Sequence, residues 1–597
     1  MNGYDVITFD IFDTLISRRL AKPKDVFNLM ESFLSYQDKW LSYPELINSF
    51  TELRVKSESL AREYKVSKFG GEAEILIEDI YSQLSKLAHL KESDLQELIN
   101  IEISCEKAVL FKTKKAEEIF NKAKNSGAKI AIISDMYLSS AVLRDILVSC
   151  GYNLENITVF SSGEVGLSKH SGQLYEFVKK ELDIKDNQKW LHIGDNTHAD
   201  IANAQKFGIK TLLADWSRNN YNESGHWLIK DVIGCSIRDF LSLPQAKTFY
   251  TEENIIESIG FKVFGPLLLG YISWFVCLAK EKELDKLVFL ARDAHLIQKL
   301  YLKYFQDKYF FEQDYMYVSR ATAYKMGLTD WPMHRIWGFF GGKNRKSIKQ
   351  ILNLFNLKEE QYLLDLKEVG FPSADYRPSS EEAQKVHWLI NKLFSKILNN
   401  SAQYRKEYVS YFENMFKDAK KVGIVDIGWA GNIQSVIVRS LSSQWINKDF
   451  HGLYLATFEN AKVNESIYNQ MNGRLTNNGV PEDRVKILLS GGVELLELAM
   501  ADNTGSTKDY KKDENEEILP VRENVSDSEK IYLEKAEQLQ SGISKFFNYI
   551  SPLIQLLPVE SLTSIFLADP FIKLILEPSF NEIESLADIT HSESAWR

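Results

Sequence analysis

Residues 5–15, Asp5-Val6-Ile7-Thr8-Phe9-Asp10-Ile11-Phe12-Asp13-Thr14-Leu15, decide the fold. A β-prone run ends in an aspartate and a short polar turn, as a buried parallel strand does when it delivers a carboxylate at its end. Similar runs recur at Lys129–Ile133, Thr158–Phe160, Trp190–Ile193 and Lys210–Leu213, with amphipathic stretches between them. That alternation predicts an α/β domain with a parallel sheet covered by helices, over residues 1–225. One interval, about 18–109, departs from it, with helical periodicity and almost no strand signal. Leu46, Ile47, Phe50 and Leu53 form one apolar stripe there, and Pro44 sits near its start, where a missing N–H costs nothing. The interval predicts a helical cap inserted after the first strand, acting as a lid.

Four polar clusters fall at predicted strand ends. They are Asp10 with Asp13-Thr14; Ser134-Asp135; Lys169 in Gly166-Leu167-Ser168-Lys169-His170-Ser171-Gly172; and Gly194-Asp195-Asn196 with Asp200. In an open parallel sheet the carboxyl ends of the strands meet at one crevice, so groups distant in sequence converge. An aspartate can attack phosphorus and form an aspartyl-phosphate, dividing one hard displacement into two easier ones. That attack on an anion needs positive charge, from a lysine and from magnesium held by carboxylate oxygens. Asp10, Ser134 and Lys169 are therefore the expected catalytic residues. Asp10 and Asp195 are expected to hold Mg2+, with Asp200 supporting it through water. Thr14, Asp135 and Asn196 are expected near the substrate, although a helix-capping role for Asp135 is equally consistent. His170 and His192 flank the site and read as structural.

The order Asp-x-x-x-Thr, then Ser, then Lys, then Gly-Asp with a later Asp resembles the haloacid-dehalogenase-like superfamily over about Tyr4 to Asp215. The resemblance implies a Rossmann-like hydrolase core, with the helical interval as its cap. Phosphatases of this family carry a second Asp two positions after the nucleophile, as general acid and base. Here that position is Phe12, whose backbone carbonyl the resemblance still implies as a Mg2+ ligand, and Asp13 comes one residue later. Protonation of the leaving group and breakdown of the aspartyl-phosphate are the steps this departure puts at issue; general catalysis speeds such steps by ~10²–10⁴. Dehalogenating and phosphonate-cleaving relatives lack that Asp as well.

A chain of 597 residues exceeds the ~250–300 at which one core stops growing, so at least two domains are expected. The second is expected at 245–510, as another Rossmann-like α/β domain, with strands near Leu287–Leu290, Tyr315–Val318 and Val422–Val425. Their ends carry Ala291-Arg292-Asp293, Ser319-Arg320 and Asp426-Ile427-Gly428-Trp429-Ala430-Gly431. Arg292, Asp293, Arg320, Asp426, Gly428 and Gly431 read either as a phosphate-type pocket at a glycine-lined helix N-terminus or as internal ion pairs of a scaffold. Residues 503–529 are charged and read as a mobile linker. Residues 528–597 read as a helical tail whose four prolines (552, 558, 570 and 578) keep its helices short. Gly341-Gly342-Lys343 lacks the spacing of a P-loop.

A net charge of −10 argues against a nucleic-acid-coating surface, and four scattered cysteines without a CxxC pair suit a reducing cytoplasm. The apolar stretch Phe264–Ala279 falls short of the ~20 residues a membrane span needs and reads as a buried helix, with peripheral membrane contact as the alternative. The expected function is a magnesium-dependent phosphohydrolase or phosphotransferase acting on a small phosphorylated metabolite, such as a sugar, polyol or nucleotide-linked phosphate. Alternatives are a transferase whose main chemistry lies in the second domain, and a non-catalytic, phosphate-responsive binding protein. The whole chain is also similar to large bacterial hydrolases of this superfamily that are associated with surface-polysaccharide biosynthesis, which implies work within a biosynthetic complex.

Overall fold

β1 (Val6–Phe9) is buried along its whole length, because its residues are covered on both faces. The chain then makes a tight turn, in which Leu15 and Ile16 both donate to the Ile11 carbonyl, and Asp13 adopts φ +53°. β2 (Ile16–Arg18) follows and pairs antiparallel with β3 (Leu110–Lys112). The two crossings into and out of the inserted helices thus form one short ribbon. In this computed structural model the described residues are 1–216, 232–327, 346–441, 447–524 and 527–587.

Between β2 and β3 lie four helices: α1 (Asp25–Ser35), α2 (Pro44–Phe69), α3 (Ile77–Ala88) and α4 (Glu92–Val109). The Leu46 and Phe50 stripe of α2 is fully buried, and Pro44 opens that helix as expected. Their interior also holds a charge. Arg54 is completely buried and makes two 2.8 Å bonds to Glu102 of α4. The hydroxyls of Tyr81 and Tyr137 donate to the same carboxylate at 2.7 and 3.2 Å. Such a pair is tolerated only because every oxygen and nitrogen finds a partner. Tyr137 belongs to the loop after β4, so the network joins the cap to the core.

β4 (Lys129–Ser134), β5 (Thr158–Ser161), β6 (Trp190–Gly194) and β7 (Lys210–Leu213) complete a parallel sheet in the order β5-β4-β1-β6-β7. Val6 lies opposite Lys129 on one side and Trp190 on the other. In chain order this is 3-2-1-4-5, and the winding reverses between β1 and β6. A crevice opens there outside the carboxyl ends of the strands. This sheet and the cap belong to the first of two compact units, Met1–Glu253 with Lys545–Leu567.

The second unit is Asn254–Ser544 with Ala568–Arg597. Its sheet comprises β8 (Lys286–Leu290), β9 (Glu312–Met316), β10 (Lys421–Trp429), β11 (Asp449–Thr457) and β12 (Asn469–Gly473). All pairings are parallel in the order β12-β11-β10-β8-β9, which in chain order is 2-1-3-4-5 when read from β9. β9 starts and ends earlier than the expected Tyr315–Val318. The apolar helix Gly265–Glu281 lies against this sheet, with the Tyr271 hydroxyl 2.9 Å from the Asp426 carbonyl and 2.5 Å from that of Leu453. The run Ile255–Glu281 is long and apolar enough to cross a membrane, but 78% of its apolar window is buried inside the protein.

Two expectations are corrected. The charged stretch expected as a mobile linker forms a hairpin, β13 (Thr507–Lys512) with β14 (Ile518–Arg522). Its anchors are few but buried: Thr507, and Tyr510, whose ring packs among Tyr408, Tyr411 and Phe412 while its hydroxyl donates to the Tyr317 carbonyl at 2.7 Å. The tail contains a 30-residue helix, Asp527–Leu556, that runs through Pro552. Proline brings no N–H to the Asn548 carbonyl, and the Ser551 hydroxyl donates to that carbonyl at 2.9 Å instead. The later helices, Asp569–Leu576 and Phe580–Leu586, are short as expected. Gly341-Gly342-Lys343 lie outside the described residues.

Candidate active site

Asp10 follows β1 directly, and its N–H donates to the Ile193 carbonyl of β6 at 2.8 Å. Asp10, Asp195 and Asp200 can each bring a carboxylate oxygen within 4.8 Å of the others. Lys169 lies between two of them, its Nζ 2.5 Å from Asp10 Oδ1 and 2.6 Å from Asp200 Oδ1. Asp10, Lys169 and Asp200 are buried, as is Ser134 at the end of β4. The sequence-expected catalytic set and its acidic partners therefore come together at the switch point of the sheet.

Several groups fix the lysine. Both oxygens of Asp135 accept backbone N–H bonds, from Lys169 at 2.7 Å and His170 at 3.0 Å. Asn203 donates to the Lys169 carbonyl at 3.3 Å and also to that of His170. Asp135, expected at the substrate, thus holds the lysine loop, and the alternative expectation that it caps a helix is not realised. Ser139 caps the helix that follows. Asn196, also expected at the substrate, is itself a helix cap, its Oδ1 accepting from His198 and Ala199 at 2.9 and 3.0 Å. Thr14 is fully buried, and its hydroxyl has no partner among the described residues.

Asp200 is held on every side. Its Oδ2 accepts the Asn196 N–H at 2.9 Å, and its Oδ1 lies 3.2 Å from His192 Nε2. His192 Nδ1 is 2.8 Å from the Thr8 hydroxyl, which in turn accepts from Trp190 Nε1 at 2.8 Å. Burial lowers the His192 pKa despite the pull of Asp200, so the ring is neutral. With Thr8 donating to Nδ1, His192 presents Nε2–H to Asp200. Asp200, expected to support the cation through water, also accepts from Lys169. Gly194 makes the close packing feasible, since a Cβ there would lie 2.4 Å from Asp200 Cγ.

The electrostatics follow from three acids sharing one lysine. Burial pushes the Asp10 carboxyl up to about 8, against the pull of Lys169 and with the added push of Asp200 and Asp195. Asp195 is raised to about 6 by burial, then by Asp13 and Asp200. Burial also acts on Asp200, but Lys169 and His192 outweigh it and hold that carboxyl below the ordinary range. Without a further positive charge the cluster favours the protonated form of Asp10.

The sequence reading missed what the cap contributes. Glu72, in the loop between α2 and α3, accepts from the Ser168 N–H at 3.0 Å, the Ser168 hydroxyl at 2.5 Å and the Ser171 hydroxyl at 2.6 Å. Glu74 accepts from Ser162 at 2.5 Å. The cap loop is therefore bonded to the segment that carries Lys169. Gly70-Gly71, both left-handed, was the available signal that the helix breaks just before Glu72. Arg18, from β2, lies over the Phe12 ring at 4.7 Å and pairs with Glu106 at 3.7 Å.

Of the second-unit candidates, Arg292, Asp293 and Arg320 follow β8 and β9, whereas Asp426 and Gly428 lie within β10 and Gly431 just beyond it. Arg292, Asp293 and Arg320 line one cleft. Gly428 (φ +115°) and Gly431 (φ +64°) have backbone reasons for being glycine: a Cβ at Gly428 would lie 2.1 Å from the Ala456 carbonyl oxygen, and one at Gly431 2.4 Å from Met471 Sδ. Gly431 opens the helix Asn432–Ser440.

Fold and site together define a capped, aspartate-based hydrolase domain of Rossmann-like topology. Residues 4–208, about a third of the chain, match the family model of the haloacid dehalogenase-like hydrolases. Among solved structures, the chain is similar to a 2-haloacid dehalogenase from Pseudomonas syringae pv. Tomato, at 16% identity and a TM-score of 0.26, covering 38% of this chain and 92% of that one. An L-2-haloacid dehalogenase from Xanthobacter autotrophicus gives 15% identity and a TM-score of 0.25, covering 39% and 84%. No curated protein matched the chain.

Proposed function

We propose that the first unit is a divalent-metal-dependent phosphohydrolase or phosphotransferase that works through an aspartyl-phosphate on Asp10. Its substrate would be a small phosphorylated metabolite of the sugar-, polyol- or nucleotide-linked class. The observation that carries this reading is the cluster of three carboxylates, Asp10, Asp195 and Asp200, with Lys169 bonded to two of them.

The donor set fits a hard cation such as Mg2+. It offers only oxygens, and its three acids outnumber its one ammonium. Both Asp200 oxygens are already engaged, so Asp10, Asp195 and the Phe12 carbonyl are the groups to hold it. When bound, the cation supplies positive charge to the phosphoryl oxygens and favours ionised Asp10. The Asp10 carboxylate then attacks phosphorus, the bond to the leaving oxygen breaks, and that oxygen takes up a proton from water, since Phe12 offers none. Lys169 would balance the charge on the phosphoryl group, and Ser134, at the end of β4, would donate to one of its oxygens. Water or an acceptor hydroxyl next attacks phosphorus, and Asp10 is regenerated.

Titration of the cluster gives a test. Asp10 and Asp195 both have folded pKa values above the ordinary 3.8. Acids of this kind favour the folded state most at low pH, and the benefit is lost as pH rises through about 4 to 8. Cation-free protein should accordingly lose melting temperature across that window from these groups. Added Mg2+ should restore more at pH 8 than at pH 6 and release protons on binding, seen in calorimetry as a heat that depends on the buffer. Equal stabilisation at both pH values with no proton release would count against a metal held by Asp10 and Asp195.

Phe12 bears on the leaving group. With an apolar ring at this position, p-nitrophenyl phosphate, whose leaving group needs no acid, should be turned over better than alkyl phosphates. Phe12→Asp should speed alkyl ester hydrolysis by at most ~10²–10⁴. The gain will be trimmed because Arg18, which packs on the ring, would hold the new carboxyl ionised. No gain on any ester, with no trapped phospho-enzyme in the parent, would rule out hydrolysis by this route.

A further inference from the structure

The sheet of the second unit has its own switch point. β8 and β10 are neighbours, and the chain winds from β8 towards β9 and from β10 towards β11, on opposite sides. In open α/β sheets, ligands bind in the crevice outside the carboxyl ends at this point. A cleft is present there. Arg292 and Asp293 enter it from the end of β8, Ser319 and Arg320 from the segment after β9, and Glu497 and Ser506 from later segments of the same unit.

Arg292 is the most informative residue. Its φ is +73°, a left-handed conformation that a non-glycine residue rarely adopts and that tends to persist where function requires it. The strained backbone is held by its N–H donating to the Tyr315 hydroxyl at 2.9 Å, and the guanidinium is aimed by one nitrogen bonded to Ser506. Its Nε is buried and has no hydrogen-bond partner among the described residues. The second arginine, Arg320, is the first residue of the helix Arg320–Gly327 and interacts with Asp426.

The cleft also carries carboxylates. Asp293, Glu497 and Glu523 line the cleft together with Arg292 and Arg320. A bare anion would meet the two arginines but be repelled by the acids. A ligand that joins a phosphoryl group to several hydroxyls satisfies both sets, because guanidinium forks bind phosphoryl oxygens and carboxylates accept from hydroxyls. We propose that this cleft is a second ligand site, separate from the Asp10 cluster, that binds a phosphorylated polyhydroxy compound of the sugar-phosphate class. The phosphoryl group lies on Arg292 and Arg320, and the hydroxyls lie on Asp293 and Glu497.

The test uses the full-length chain carrying Asp10→Asn, so that turnover at the first site does not consume the probe. Calorimetric titration with a hexose 1-phosphate and with inorganic phosphate should show the hexose phosphate binding at least tenfold more tightly. Arg320→Ala should weaken hexose phosphate binding by roughly tenfold to a hundredfold, the loss expected for a charge-assisted hydrogen-bond pair. Arg320→Lys keeps the charge but loses the planar fork, and should weaken it by less. Lys169→Met, at the first site, should leave this binding in place. Circular dichroism checks that each variant is folded, and Arg320→Lys serves if Arg320→Ala is not. Binding that vanishes with Lys169→Met but survives both Arg320 changes would place the ligand in the first site and overturn the proposal. So would equal affinity for phosphate and hexose phosphate, or no binding of either.

Discussion

Asp10→Asn is expected to cut phosphate release by roughly 10⁴–10⁶-fold, the scale seen when one member of a covalent catalytic unit is removed. The amide has nearly the shape of the carboxylate but cannot form the acyl-phosphate. Stability should move differently. Burial and two neighbouring acids raise the Asp10 pKa to about 8, so the ionised carboxyl works against the folded state without a cation. An acid with a raised folded pKa contributes progressively less stability as pH climbs from about 4 to about 8, and asparagine removes that dependence. Cation-free Asp10→Asn should therefore melt no lower than the parent at pH 8. Turnover within tenfold of the parent would remove Asp10 from the nucleophile's role. A collapse in melting temperature would instead make Asp10 a structural residue.

Lys169→Met should be the most destabilising single change at the site. It removes the one ammonium shared by Asp10 and Asp200 and leaves two buried carboxylates without it. Breaking a buried ion pair from one side costs about 3–5 kcal/mol. The loss should be deepest near pH 8 and shallower near pH 5, because a proton on Asp10 substitutes for the missing positive charge at low pH. Saturating Mg2+ should return part of the lost melting temperature by mass action, since it binds the folded acids and not the unfolded chain. Activity should remain low even with the cation, because charge balance at the phosphoryl group is lost. Denaturant melts at pH 5 and 8, with and without Mg2+, measure all three effects. A variant as stable as the parent at pH 8 would show that the Lys169 bonds carry no weight in the fold.

The sequence by itself determined the first sheet and its insertion. Each of its strands is a short β-prone run, and Asp10, Ser134 and Asp195 fall at or just beyond a strand end, so topology alone brings them to one crevice. The helical cap was legible for a similar reason: the Leu46–Phe50 stripe has a 3.6-residue period that no strand shares. Less was legible in the second unit. β12 contains Asn469, Gln470 and Asn472, and reads as loop until β11 pairs with it. The β13–β14 hairpin is charged except at a few anchors, so composition hides it.

Only the tertiary structure decided how the site residues divide their work. Asp135 and Asn196 were expected near the substrate and Asp200 near the cation, because in one dimension a polar residue close to Asp10 looks the same whatever it touches. In three dimensions Asp135 holds the Lys169 loop, Asn196 caps a helix, and Asp200 is bonded between Lys169 and His192. Glu72 was invisible because it lies 96 residues from its partner Ser168. The physical reason is that strand and helix periodicities are local, whereas a side chain's hydrogen-bond partner and its charge state are fixed by whatever the fold brings beside it.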